Sequence, residues 1–177
     1  MTHQEELPDS MFLVELEGQE GATGTTLAFS RATTVLLTFA ANRFTRSASR
    51  VYHDRFGIGA MDWRMLVMLT REPGANVAKA SATIGIDKAA VSRSLTRLKE
   101  KGLAAPLQSS PSGRRKEWGL TEQGRRLHAE ILQVALNRQR HILKGFSQTE
   151  VHAFNDYLKR FLENLEDLPE EALGQEE

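Results

Sequence analysis

Residues 87–102, DKAAVSRSLTRLKEKG, carry their own start and stop signals. Asp87 is a good N-cap and Gly102 stands where a helix-ending glycine belongs, so the run predicts a helix over 88–101. At about 100° per residue, Val91, Leu95 and Leu98 share one face. The opposite face carries Ala89, Ser92, Arg93, Thr96 and Arg97, with Lys88 and Lys99 at its margin. Small residues let a helix approach the floor of a groove, and Arg, Ser and Thr reach base edges and phosphates. A solvated basic face on an ordinary surface helix has the same composition, so the flanking sequence has to decide.

Upstream, Asn76 is placed to cap a small, Ala-rich helix over 77–84, and Gly85-Ile86-Asp87 turns tightly into the first run. Two short helices joined by a Gly-containing turn of this length predict a helix-turn-helix. Downstream, residues 103–108 read as a short edge strand containing Pro106, and Ser109-Ser110-Pro111-Ser112-Gly113 is rich in turn formers. Arg114-Arg115-Lys116 then leads into a returning strand with Trp118 and Leu120. A hairpin with three cations at its tip, beside a helix-turn-helix, reads as a wing able to lie along a phosphate backbone or dip into the minor groove.

Farther out, 30–56 predicts a long amphipathic helix with Leu37, Ala41, Phe44, Ala48 and Val51 on one face. Arg43, Arg46, Arg50 and His53 line the opposite face, as a solvated stripe or as part of a cleft for an anion. Asp62 reads as the cap of a helix over 63–71 that Glu72-Pro73-Gly74 ends. Thr121 caps another helix, seamed by Leu127, Ile131, Val134 and Ala135. Ser147 and Glu150 form a capping box for the last one, which carries Val151, Phe154, Leu158, Phe161, Leu162 and Leu165. The expected organisation is a flexible extension over 1–25, one domain over 26–168 and an acidic tail over 169–177. Residues 1–25 are Gly-rich toward their end, with room for one helical turn around 10–16.

The 177 residues are 40% hydrophobic and 26% charged, as in ordinary globular chains. Net charge is zero, but residues 62–126 hold 13 Lys/Arg against 6 Asp/Glu, net +7, and the remainder is net −7. A basic middle between acidic ends suits a local nucleic-acid-binding module, or a patch for an acidic protein. There is no transmembrane-length apolar run and no export segment, which predicts a cytoplasmic protein without membrane partners. Absence of cysteine excludes disulfides, thiolate metal sites and thiol redox control. The five histidines lack short metal-ligand spacing, and no nucleophile elbow, phosphate-cradling loop, His-Glu-x-x-His or carboxylate pair occurs. No enzyme, metal or cofactor is expected.

The runs VSRSLTRLKEKGL (91–103) and SGRRKEWGLTEQG (112–124), with the order of helices around them, resemble the MarR (multiple antibiotic resistance regulator) family over about 30–168. The resemblance implies a mainly α fold with a small β-hairpin wing: a winged helix-turn-helix over 62–120, with dimerisation helices over 30–56 and 122–168. It implies a homodimer whose terminal helices interleave, bound to a pseudo-palindromic DNA operator and most often repressing. Lys88, Ala89, Ser92, Arg93, Thr96 and Arg97 match the recognition helix, and Arg114 matches the wing arginine, with Arg115 beside it. Where the family usually has an Asp two residues before that arginine, this chain has Ser112. Members commonly respond to small aromatic or phenolic acids, bound where dimer helices meet the winged domain. Arg43, Arg46, Arg50, His53, Trp63 and Arg64 are the corresponding candidates, since a carboxylate needs a cation and a ring needs a flat wall. The long apolar seams at both ends of the chain exceed what one small winged helix covers, and fit an interface or a folded-back monomeric bundle. The rival functional classes are a protein-interaction winged helix and a nonspecific architectural DNA binder.

Overall fold

Side chains that take up free backbone N–H groups set three of the helix starts. Asn76 Oδ1 accepts from Lys79 N at 2.9 Å, Asp87 Oδ1 from Ala90 N at 2.8 Å, and Ser147 Oγ from Glu150 N at 3.2 Å. Glu150 closes the capping box by accepting from Ser147 N at 2.8 Å. The computed structural model describes residues 7–17, 23–107 and 116–168. Its elements are β1 (Leu13–Glu17), β2 (Thr23–Leu27), α1 (Thr33–Phe56), α2 (Ala60–Arg71), α3 (Val77–Ile84), α4 (Lys88–Glu100), β3 (Ala104–Pro106), β4 (Trp118–Leu120), α5 (Glu122–Ile142) and α6 (Gln148–Glu166).

The chain divides into two units, Met1–Ile131 and Leu132–Glu177. In the first, α2, α3 and α4 surround a core of Met65, Leu66, Leu69, Val91, Leu95 and Leu98, all at most 2% exposed. Full burial of side chains this size contributes about 1.5–3 kcal/mol each, which is what holds α4 against α2. Antiparallel β3 and β4 pair Ala104 with Leu120 and Pro106 with Trp118. The turn after α2 joins this hairpin: Trp118 N donates to Ala75 O at 3.2 Å, and Gly74 N to Trp118 O at 2.9 Å. The foot of the wing is thereby fixed to the helical core.

Two glycines set the passage from α4 to α5. Gly102, at φ +69°, turns the chain out of α4 in the left-handed region. Thr121 Oγ1 donates to Gly102 O at 2.6 Å and accepts from Gly124 N at 3.0 Å, so one hydroxyl ties both ends of the wing. A Cβ on Gly124 would lie 2.0 Å from Leu103 O, so only glycine lets α5 start this close to the strand. In the second unit, a turn at Phe146 (N to Leu143 O, 3.1 Å) precedes α6, and the Phe146 and Phe154 rings lie 6.4 Å apart. No residue of α6 is buried.

Four sequence expectations need correction. Residues 10–16 do not form a helical turn leading out of a featureless extension. Asp9–Met11 make a 3-10 turn, and β1 pairs with β2 from Leu13↔Leu27 to Glu17↔Thr23. The Leu-Val-Glu-Leu-Glu alternation and the threonines of β2 favour a pleated ribbon over a helix. The first helix begins at Thr33 rather than at 30, because Ala28 and Ala32 are buried in a turn closed by Ala32 N to Ala28 O at 2.8 Å. Of the expected face of Leu37, Ala41, Phe44, Ala48 and Val51, Ala48 is buried, Leu37 and Val51 are half-buried, and Ala41 and Phe44 are exposed, while Tyr52, outside that face, is buried. Finally, α2 starts at Ala60, one turn early, with Gly59 as its N-cap, and Asp62 serves that start from the first turn, its Oδ2 accepting from Gly59 N at 3.4 Å.

Candidate nucleic-acid interface

The amphipathic reading of residues 88–101 holds at side-chain level. Val91, Leu95 and Leu98 are at most 1% exposed, whereas Lys88, Ala89, Ser92, Arg93, Thr96 and Arg97 are exposed. The outer face is not uniform. Thr96 Oγ1 donates to Ser92 O at 3.0 Å, leaving its lone pairs outward as acceptors. Arg93 is in no ion pair among the described residues. Arg97 is engaged: its Nη2 donates to Asp62 Oδ1 at 2.6 Å, and its Nε lies 3.2 and 3.3 Å from the two Asp62 oxygens. Ser94, fully buried on the flank of the same helix, donates from Oγ to Asp62 Oδ1 at 2.6 Å. Asp62 is itself only 3% exposed. The hydrogen bond to Asp62 raises the Arg97 pKa above its ordinary value, so the guanidinium is a permanent cation.

At the wing, Leu107 N donates to Glu117 O at 2.8 Å, and Lys116 is exposed at the foot. Ser112, Arg114 and Arg115 lie outside the described residues.

The candidate effector residues do not converge. Arg43, Arg46, Arg50 and His53 are exposed along α1. Trp63 and Arg64 line a cleft of about 290 Å³ with Val67, Arg71, Thr83 and Ile84. Arg64 Nη2 also donates to Thr45 Oγ1 at 3.1 Å. Trp63 stacks on His128 of α5, with centroids 5.1 Å apart and planes at 22°, and Tyr52 lies 5.9 Å away on its other contact. Burial pushes the His128 pKa below its ordinary value.

The sequence model of the MarR family matches residues 56–116, which run from the end of α1 to the foot of β4 and so include α4. A MarR/EmrR family transcriptional regulator from Acinetobacter sp. ADP1 superposes with a TM-score of 0.76 at 29% identity, covering 80% of this chain and 100% of that one. Residues 56–116 thus match the MarR family, and the fold over 80% of the chain is similar to that of a MarR/EmrR family regulator. The fold also matches the PcaV regulator of Streptomyces coelicolor in complex with its natural ligand, with a TM-score of 0.65 at 19% identity over 78% of this chain and 96% of that one. It matches MepR of S. aureus in complex with DNA, with a TM-score of 0.66 at 18% identity over 75% and 96%. Comparison with the curated proteins gave no match. The Acinetobacter protein is described as a transcriptional regulator.

Within this MarR-like fold, the places of four residues were not read from the sequence. Asp62 and Ser94 meet across 32 positions, a contact with no local signature. Arg71 joins Trp63 and Arg64 in the cleft, and here a signal existed, because seven residues from Arg64 bring the helix back to the same face. His128 was legible only as a histidine without metal-ligand spacing, and its place is against Trp63.

Proposed function

We propose that the protein acts as a homodimer that reads a pseudo-palindromic operator, represses there, and is released by a small aromatic or phenolic acid. The observation that carries the reading is the division of α4 between a buried Val91-Leu95-Leu98 side and an exposed side of Lys88, Ala89, Ser92, Arg93 and Thr96. Paired about two-fold symmetrically, two such helices enter successive major grooves roughly 34 Å apart. Arg93 is the base reader, because its guanidinium can offer two parallel donors to guanine. Ser92 and Thr96 supply shorter hydrogen bonds and Ala89 a methyl contact. Arg114 and Arg115 supply backbone contacts from the wing. The apolar side chains left exposed on α6 support self-association, and the acid fits the Trp63 cleft, where Arg64 and Arg71 stand beside an aromatic wall. The resolved ligand and DNA complexes of PcaV and MepR give the same fold these two roles in those proteins. Release works only if the acid binds the two dimer states with different affinity.

Fluorescence anisotropy on the duplex upstream of the protein's own gene, with excess unrelated duplex, tests the reading. Binding that survives the competitor and is reversed by one of a panel of aromatic acids is expected. Arg93→Ala should cost about 1–3 kcal/mol on that duplex and relax preference at one base position. Equal loss on every sequence would remove Arg93 as a base reader. Binding abolished by the competitor would leave a nonspecific binder.

A further inference from the structure

Asp62 is a carboxylate almost sealed from water on the side of α4 that faces the rest of the winged helix. An ionised carboxylate so placed requires hydrogen bonds and a counter-charge. It has both, from Ser94 Oγ at 2.6 Å and from Arg97 Nη2 at 2.6 Å, with Arg97 Nε in addition. The guanidinium is engaged along the Nε–Nη2 edge. The Nη1 amino group and one Nη2 hydrogen are left over, on a side chain that is still 45% exposed. The residue is therefore gripped from below and open above. The exposed side of α4 to which it belongs also holds Arg93, one turn earlier.

We infer that Asp62 is a positioning residue for DNA binding: it fixes the Arg97 guanidinium so that its free edge is presented, pre-oriented, to a single backbone phosphate. This rests on the DNA-binding reading of α4 and deepens it by separating two arginines of one face. Arg93 keeps its rotamer freedom and reads bases, whereas Arg97 has given up that freedom before DNA arrives. A planar donor fork held in place forms a charge-assisted bond to phosphate without the ordering cost that a flexible side chain meets on binding. The buried Ser94 hydroxyl donates to the same Oδ1 as Arg97 Nη2, and Gly59 N donates to Oδ2 at 3.4 Å, so the clamp does not depend on DNA for its shape.

The inference makes a prediction opposite in sign to simple electrostatics. Asp62→Asn removes a negative charge within the basic region, so charge alone predicts tighter DNA binding with a steeper salt dependence. Loss of positioning predicts weaker binding on every duplex, by about tenfold, the worth of one charge-assisted hydrogen bond. The measurement is anisotropy of full-length protein on a mixed-sequence duplex and on the duplex upstream of its own gene, over a salt series. Thermal unfolding is followed in parallel. Arg97→Lys, which keeps the charge but cannot span the carboxylate, should lose about as much as Asp62→Asn. The double variant should lose no more than either single one. Asp62→Asn that folds and binds as well as or better than wild type would overturn the inference and leave the DNA-binding reading intact. So would additive losses in the double variant, or a loss confined to one sequence. If Asp62→Asn lacks a cooperative unfolding transition, Arg97→Lys alone decides: a tenfold loss on both duplexes supports positioning, and unchanged affinity overturns it. Wild-type protein that binds neither duplex at low salt would overturn both readings together.

Discussion

At the scale of single residues, the sharpest constraint in the fold is an absent side chain. Gly124 lies in the first turn of α5, where Leu103 O would be 2.0 Å from any added Cβ and Leu103 C 2.9 Å. Both atoms are backbone, so no rotamer change relieves the clash, and either α5 or the start of β3 must move. That movement would also pull on Thr121, whose hydroxyl bonds Gly102 O and Gly124 N. Gly124→Ala is therefore expected to destabilise by about 1–3 kcal/mol or more, against the small gain that alanine normally brings to a helix. Chemical denaturation followed by the fluorescence of Trp118, buried at the hinge of the wing, measures it. An unchanged or raised midpoint would refute the close approach. Leu98→Ala, at a fully buried position of α4, offers the ordinary cavity cost of about 2–5 kcal/mol for comparison.

At the scale of elements, the starts of α3, α4, α5 and α6 were legible because a local side chain caps each, whereas α1 and α2 begin without a capping side chain at the N-cap. Asn76, Asp87, Thr121 and Ser147 each bond the N–H expected of a cap, and Gly102 turns at positive φ. What could not be read depends on partners remote in sequence. Asp62 serves the start of α2 by accepting from Gly59 N, but its closer partners, Ser94 and Arg97, come from α4. The apolar period of α1 anticipates Ala48 but not Tyr52, the other residue buried on that helix. The stack of Trp63 in α2 on His128 in α5 is another such pairing, and it has a pH signature. Burial lowers the folded-state pKa of His128, so between the ordinary histidine value and that lower one the unfolded chain binds more protons. The stability this group contributes is complete above the ordinary histidine range, about pH 6.5, and is lost as pH falls through the folded value. Thermal melts from about pH 7.5 down to about pH 5 should show Tm declining below the ordinary range. His128→Phe, which keeps an aromatic stack, should flatten that part of the curve. An identical decline in the variant would assign the effect to other groups.

At the scale of the whole molecule, the apolar side chains left uncovered are as informative as the buried ones. Phe154, Tyr157, Leu162 and Leu165 of α6 are 45–61% exposed, and Leu36 and Phe44 of α1 are 44% and 45% exposed. Scattered apolar residues are ordinary on a surface, but a row at helical spacing on a helix with no buried residue is a face suited to a partner. A second copy of the chain would supply the same row, which a two-fold interface can bury against itself. Such a dimer would also convert one basic α4 into two, and binding of the second half-site would become intramolecular. Phe154→Glu/Leu162→Glu places two charges eight positions apart on that row and leaves the residues of the winged helix unchanged. Light scattering at micromolar concentration should show a dimer for the wild type and a folded monomer for the double variant. The variant should bind a two-half-site duplex about 10²–10⁴-fold more weakly, with affinity for a single half-site preserved. A variant that remains dimeric would move the interface off α6. A wild type that is monomeric would leave each α4 to act alone, which a pseudo-palindrome could not exploit.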